Sequence, residues 1–183
     1  MRTASIIFGR FQPPTKAHIA LLKYFREITE YNRFSNYVFL SNSVDHKKNP
    51  LSLDFRIKYL SKILPLHYVG SKNPFYAICE LGKMGMYDNI NLYCGSDRVK
   101  RYQEFSKYIN HSDESKRIPF IQKINVISFG KRDQYSNNFI ETVSGTKARQ
   151  YAICGKYIHF MKLVPGNLAD RLKLYKTTRA GLL

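Results

Sequence analysis

The chain has 183 residues, of which 30 are Lys or Arg and 13 are Asp or Glu, giving a formal net charge of +17. With 44% hydrophobic residues, 14 Tyr and 12 Phe, it has enough apolar side chain for one packed domain, which excludes a disordered or low-complexity polymer. A charge of that sign favours nucleotides, phosphates or nucleic acid as partners and says nothing about fold.

Cys79, Cys94 and Cys154 are too far apart in sequence for a chelating pair and odd in number, which argues against a disulfide framework and a zinc site and suits a reducing compartment. No apolar run approaches the ~20 residues of a membrane helix. Residues 1–8 lack the longer apolar run and cleavage site of a secretory signal. A cytosolic protein without membrane contact is expected.

Residues 4–8 form a short apolar run closed by Gly9, the pattern of a buried strand. The next segment, Gly9-Arg10-Phe11-Gln12-Pro13-Pro14, is held extended by its consecutive prolines. A helix is predicted from Thr15, with Ile19, Leu22, Phe25 and Ile28 at the 3.6-residue period. Residues 37–40 read as a second strand and 41–50 as a polar loop, and Ser52 as the N-cap of a helix through Ile63. Residues 67–69 read as a third strand, and 74–81 as a helix stopped by Gly82. Residues 90–94 read as a fourth strand, 99–109 as a helix and 120–129 as a fifth strand, with a helix restarting at Ser144. Residues 151–183, where Asp170 is the one acid, read as short helices and a tail. This alternation predicts an α/β fold, a Rossmann-like doubly wound parallel sheet of about five strands with right-handed crossovers. Ligands of such sheets sit beyond the carboxyl ends of the strands, where the strand order reverses. The expected division is a domain over 1–155 and a helical extension with a tail over 156–183.

Four segments carry candidate chemistry. Thr15 and His18, one helical turn apart at a helix N-terminus, either hold an anion or simply cap the helix and pack beside Leu22. Ser144-Gly145-Thr146-Lys147-Ala148-Arg149 is either a second phosphate-binding helix start, with Arg149 a turn on as a fork of donors, or an ordinary capped one. Lys47, Lys48 and Arg56, around Asn49-Pro50-Leu51-Ser52, either surround a polyphosphate or form a solvated basic loop. Gly95-Ser96-Asp97-Arg98 either lets a base or ribose lie on the backbone, with Asp97 accepting from a hydroxyl, or is a plain turn. His46, His67, His111 and His159 show no partner spacing.

Taken together these segments resemble the nucleotidylyltransferase superfamily, whose signature is (H/T)-x-G-H. Gly9-Arg10-Phe11-Gln12-Pro13 is similar to the opening of archaeal-type nicotinamide mononucleotide adenylyltransferases, Asn49 through Arg56 to their N-P-[FL]-[ST]-x-x-x-R segment, and Ser144 through Arg149 to their S-G-T-x-[IV]-R motif. Phage-encoded cytidylyltransferase-like proteins share these segments and a G-S-D-R turn. Ala17 stands for the signature Gly, Thr15 for its first His and Ala148 for Ile or Val, and the chain has no Trp.

The resemblance implies transfer of a nucleotidyl group from a nucleoside triphosphate to a phosphate-bearing acceptor with release of pyrophosphate, as ATP plus nicotinamide mononucleotide giving NAD. Cytidylyl transfer to another phosphorylated acceptor is the second reading. A basic nucleic-acid-binding or assembly protein on the same fold is the third, motivated by the +17 charge. The implied catalytic residues are His18 on the α-phosphate, Thr15 beside it, and Arg149. Gly9, Arg10, Phe11, Lys16, Gly95, Asp97, Ser144, Gly145 and Thr146 would bind the nucleotide, and Lys48, Asn49 and Arg56 the substrate or its phosphates. Mg²⁺ is the implied cofactor, held by phosphates and water with no protein metal site. A homo-oligomer is allowed.

Overall fold

The structure, a computed structural model, describes residues 1–129 and 143–183. Five strands, β1 (Thr3–Gly9), β2 (Ser35–Ser41), β3 (Tyr68–Ser71), β4 (Asn89–Cys94) and β5 (Lys123–Ser128), form one parallel sheet in the order β3-β2-β1-β4-β5. Helices α1 (Lys16–Tyr31), α2 (Leu53–Ile63) and α3 (Pro74–Lys83) link the first four strands, and the short α4 (Val99–Gln103) leads towards β5. Three more, α5 (Gly145–Ile153), α6 (Tyr157–Leu163) and α7 (Leu168–Ala180), follow the sheet.

The strands alternate as a sheet covered on both faces requires. Ala4 and Ile6 of β1, with Phe39, Ile90, Leu92 and Ile124, meet Ala77, Ile78 and Leu81 of α3 and Tyr102 of α4. Ile7, with Val38, Leu40 and Tyr93, faces Ile19, Leu22 and Phe25 of α1 and Leu60 of α2. Burying one such Phe or Leu contributes roughly 1.5–3 kcal/mol. A third cluster joins Leu51 and Tyr59 to Ala148, Phe160, Leu163 and Leu174, so the C-terminal helices pack on the α2 side of the molecule.

The chain reverses direction across the sheet between β1 and β4, because β2 and β3 lie to one side of β1 and β4 and β5 to the other. Gly9 ends β1 opposite Leu40, and Ile7 pairs with Tyr93 two residues before Gly95. Their carboxyl ends open the crevice in which this fold class binds ligands.

Some expectations at element ends are corrected. The predicted helix over 99–109 is α-helical only to Gln103 and continues as a 3₁₀ turn over Glu104–Tyr108. Gly82 lies inside α3; a Cβ there would meet the Pro119 carbonyl oxygen at 2.1 Å, and the left-handed residue that ends the turn is Gly85. The fifth strand starts at Lys123 because Phe120 has φ +58° and the Ile121 amide donates to the Pro119 carbonyl. The C-terminal segment is helical to Ala180.

Candidate active site

A cleft of about 390 Å³ opens at the crevice between β1 and β4. Its lining brings together Gly9, Arg10 and Phe11 from the end of β1, His18 from α1, Gly95 and Asp97 from the end of β4, and Ser144, Gly145, Thr146 and Arg149 from α5. The sequence separates the first and last of these segments by more than a hundred residues, and the winding of the sheet reunites them.

Thr15 is the N-cap of α1, in extended backbone, and fully buried. Its backbone N–H donates to His18 Nδ1 at 3.0 Å, its Oγ1 lies 2.9 Å from the same nitrogen, and the His18 amide approaches Oγ1 at 3.4 Å. This is a capping box with imidazole in the place usually taken by Glu or Gln. Nδ1 is an acceptor for a backbone amide, so the neutral ring carries its proton on Nε2. The Phe11 ring meets the imidazole edge-on at 5.1 Å. Phe11 holds φ +50°, and a Cβ at Gly9 would come within 2.6 Å of its ring, so glycine is required there for the ring to fold back over the end of β1. A left-handed bulky residue costs on the order of 1–3 kcal/mol, a cost found mostly where geometry serves a site.

Ser144 caps α5 through the Lys147 amide at 3.1 Å. Arg149 then reaches back, donating from Nη1 to the Gln12 carbonyl at 2.5 Å and from Nη2 to Thr146 Oγ1 at 3.1 Å. Burial lowers its pKa, the like charge of Arg10 lowers it further, and Asp45 opposes the shift. Two guanidinium groups therefore repel each other at a cleft whose only acidic lining residue among the described residues is Asp97. Gly145 sits against the Gln12 carbonyl, 3.1 Å from where a Cβ would stand. The N-termini of α1 and α5, each with a first-turn amide capped by a hydroxyl and a positive dipole end, thus flank one opening.

Five expected site residues do not line the cleft. Arg56 is fully buried, and its guanidinium donates to the carbonyls of Arg10 at 2.8 Å, Ser41 at 2.7 Å and Ser52 at 3.2 Å. Burial brings its pKa down to about 10. It ties the loop after β1 to the end of β2. Asn49 is also buried, its amide donating to Asp45 and its backbone bridging the same residue. Lys48 is exposed, with its amide on Asp45 Oδ1 at 2.6 Å. Lys16 begins α1, and neither lysine lines the cleft. Thr15 does not line it either; it acts on the cleft through His18.

Gln12 escaped the sequence reading. It is almost fully buried, and its side chain exchanges hydrogen bonds with Leu51, donating at 2.8 Å and accepting at 3.0 Å. The available signal was a polar residue set between Phe11 and two prolines. Arg98 and Phe129 also line the cleft, Phe129 stacked on Tyr93 at 5.0 Å.

Among the described residues no group of three or more His, Cys, Asp or Glu could hold a metal ion. With Asp97 as the only carboxylate that the described residues contribute to the cleft, their donor set fits a divalent ion that arrives on a polyphosphate and keeps its water, and does not fit a protein cage. No helix of the described residues is long and apolar enough to cross a membrane.

The fold is shared with solved nucleotide-binding proteins. The Plasmodium falciparum nicotinic acid mononucleotide adenylyltransferase, complexed with NaAD, aligns with a TM-score of 0.63 at 16% identity, over 97% of this chain and 98% of its own. Thermotoga maritima TmcAL bound with alpha-thio ATP aligns with a TM-score of 0.58 at 11% identity, over 96% of this chain and 55% of its own. A bifunctional NMN adenylyltransferase/ADP ribose pyrophosphatase from Francisella tularensis, complexed with AMP and a manganese ion, aligns at 0.52 and 16% identity, over 98% and 52%. The chain spans about half the length of the last two proteins. At these identities the likeness is one of fold. No curated protein sequence matches the chain. The family model described as cytidylyltransferase-like matches residues 6–150, across β1 to α5 and every segment that lines the cleft, and the chain belongs to that family.

Proposed function

We propose that the protein is a nucleotidylyltransferase whose cleft takes the triphosphate of a nucleoside triphosphate, with ATP as the donor and nicotinamide mononucleotide as the acceptor. The observation that carries this reading is the meeting of His18 and Arg149, from two helix N-termini remote in sequence, at one cleft on the β1/β4 crevice. Family membership and neighbours named as adenylyltransferases support it.

In the proposed reaction an oxygen of the acceptor phosphate attacks the α-phosphorus. The bond from that phosphorus to the bridging oxygen breaks, and pyrophosphate leaves with the electron pair. No protein nucleophile is needed, so catalysis rests on positioning and on donors aimed at developing charge. Nε2–H of His18, its tautomer set by Thr15, donates to an α-phosphate oxygen. Arg149 and the α5 amides hold the β- and γ-phosphates, and the Gln12 carbonyl keeps the guanidinium from turning away. A magnesium ion on the triphosphate would neutralise part of its charge.

Pyrophosphate release is assayed with ATP or CTP, Mg²⁺ and a panel of phosphorylated acceptors. Turnover is expected with ATP, and His18→Ala should lower kcat by on the order of 10²–10³ with little change in folding. Silence across the panel, together with no triphosphate binding by calorimetry, sinks the reading.

A further inference from the structure

A second cavity, of about 510 Å³, adjoins the cleft and shares Phe8, Arg10, Asp97 and Arg98 with it. Both volumes lie in the range of small-molecule sites, roughly 300–1,000 Å³. One wall of the second cavity is aromatic. The rings of Tyr102 and Phe105 stack at 5.4 Å, and Phe75 meets Phe105 edge-on at 5.8 Å. The remaining lining includes the guanidinium groups of Arg10, Arg98 and Arg101.

Asp97 is the only acidic residue of this lining among the described residues. Its carboxylate is 3.8 Å from Arg98 Nε and 76% exposed, so the pair is screened and weak. Two of the three guanidinium charges therefore have no compensating carboxylate in the lining among the described residues. An acceptor phosphate poised for attack must sit at the shared end, beside Arg10, to face a triphosphate in the cleft. Arg101 lines only the second cavity, so that phosphate leaves it unanswered.

We infer that the acceptor is a phosphorylated ring compound with a second anionic group remote from the reacting phosphate, and that Arg101 is the residue that selects it. The ring lies on the Phe75, Tyr102 and Phe105 wall, and the remote carboxylate or phosphate meets the guanidinium fork of Arg101. This rests on the cleft being the triphosphate site, and it refines the acceptor proposed above: among pyridine mononucleotides it favours the carboxylate form over nicotinamide mononucleotide, whose amide is uncharged.

The test compares acceptors that differ in one anionic group, bound to the full chain without triphosphate and followed by calorimetry at fixed ionic strength. Nicotinate mononucleotide against nicotinamide mononucleotide probes a carboxylate. Cytidine 3′,5′-bisphosphate against cytidine 5′-monophosphate probes a second phosphate. The more charged member of at least one pair is expected to bind about tenfold tighter, and Arg101→Gln should erase that preference. Arg101 is exposed, so the variant should melt with the parent. Equal affinities within both pairs, no binding of any of them, or a preference untouched by Arg101→Gln overturns the inference. Absent pyrophosphate release with the preference intact would instead count against the proposed reaction alone.

Discussion

Asp45 holds the turn ahead of α2. Its Oδ1 accepts from the amides of Lys47 at 2.9 Å and Lys48 at 2.6 Å, and its other oxygen accepts from the Asn49 side chain. The Lys48 amide does most to bring its pKa from the ordinary 3.8 down to about 2, followed by the Asn49 amide. A carboxylate whose folded pKa lies below its unfolded one contributes stability above the unfolded value and loses it as pH falls through the folded one. Asp45→Asn keeps an acceptor and removes the charge. The variant should be less stable than the parent near neutral pH, and the gap should close between about pH 4 and pH 2 in urea midpoints. A gap that holds constant to the acid end would assign the whole effect to hydrogen-bond geometry. The same scale explains why the burial of Arg56 is not legible in the sequence. An arginine in a sequence reads as solvated, because burial of its head needs several acceptors, and here they come from three separate carbonyls that no local pattern reveals.

At the level of elements, α3 separates what a local pattern encodes from what it does not. Its apolar positions and Asn73 cap lie within one stretch of sequence, so its start and its buried face are legible there. Its end is not, because glycine serves two different purposes within four residues. Gly85 adopts φ +65° with open space around it, the ordinary end of a helix. Gly82 is helical and packs against the Pro119 carbonyl of a distant loop. The two roles make opposite predictions. Gly82→Ala should cost about 1–3 kcal/mol in denaturant unfolding, since backbone must move to admit the methyl. Gly85→Asn, a residue that tolerates the left-handed region, should stay within about 0.5 kcal/mol. If both behave alike, the close contact at Gly82 does not govern this helix. The same distinction covers the candidate site: both helix starts are readable from Thr15 and Ser144, whereas the Gln12 bridge to Leu51 depends on packing between segments and is not.

Over the whole molecule, the C-terminal helices brace the cleft from behind. Arg179 donates from Nη1 to the carbonyls of Ala152 at 2.7 Å and Ile153 at 3.0 Å, closing the carboxyl end of α5 while the amino end faces the cleft. Gly181 lies so close to Pro50 that a Cβ would come within 2.2 Å of its carbonyl oxygen, and Leu51, the next residue, is the one that Gln12 grips. The basic C-terminal segment shows none of this in sequence, because Arg179 meets Ala152 and Ile153, and Gly181 meets Pro50, across long stretches of chain. Arg179→Ala leaves the last carbonyls of α5 without their charged donor, at a cost of about 1–3 kcal/mol. Melting should fall by several degrees, and triphosphate affinity should fall with it as α5 loses its fixed position against Gln12. Net charge offers a competing cause, since the variant also lowers +17 by one. Lys176, exposed on the same helix, controls for it. Lys176→Ala removes the same charge without touching α5, so calorimetry should find its triphosphate affinity and melting close to those of the parent. Equal losses in the two variants would mean that the positive field of the molecule, and not the brace, sets affinity at the cleft.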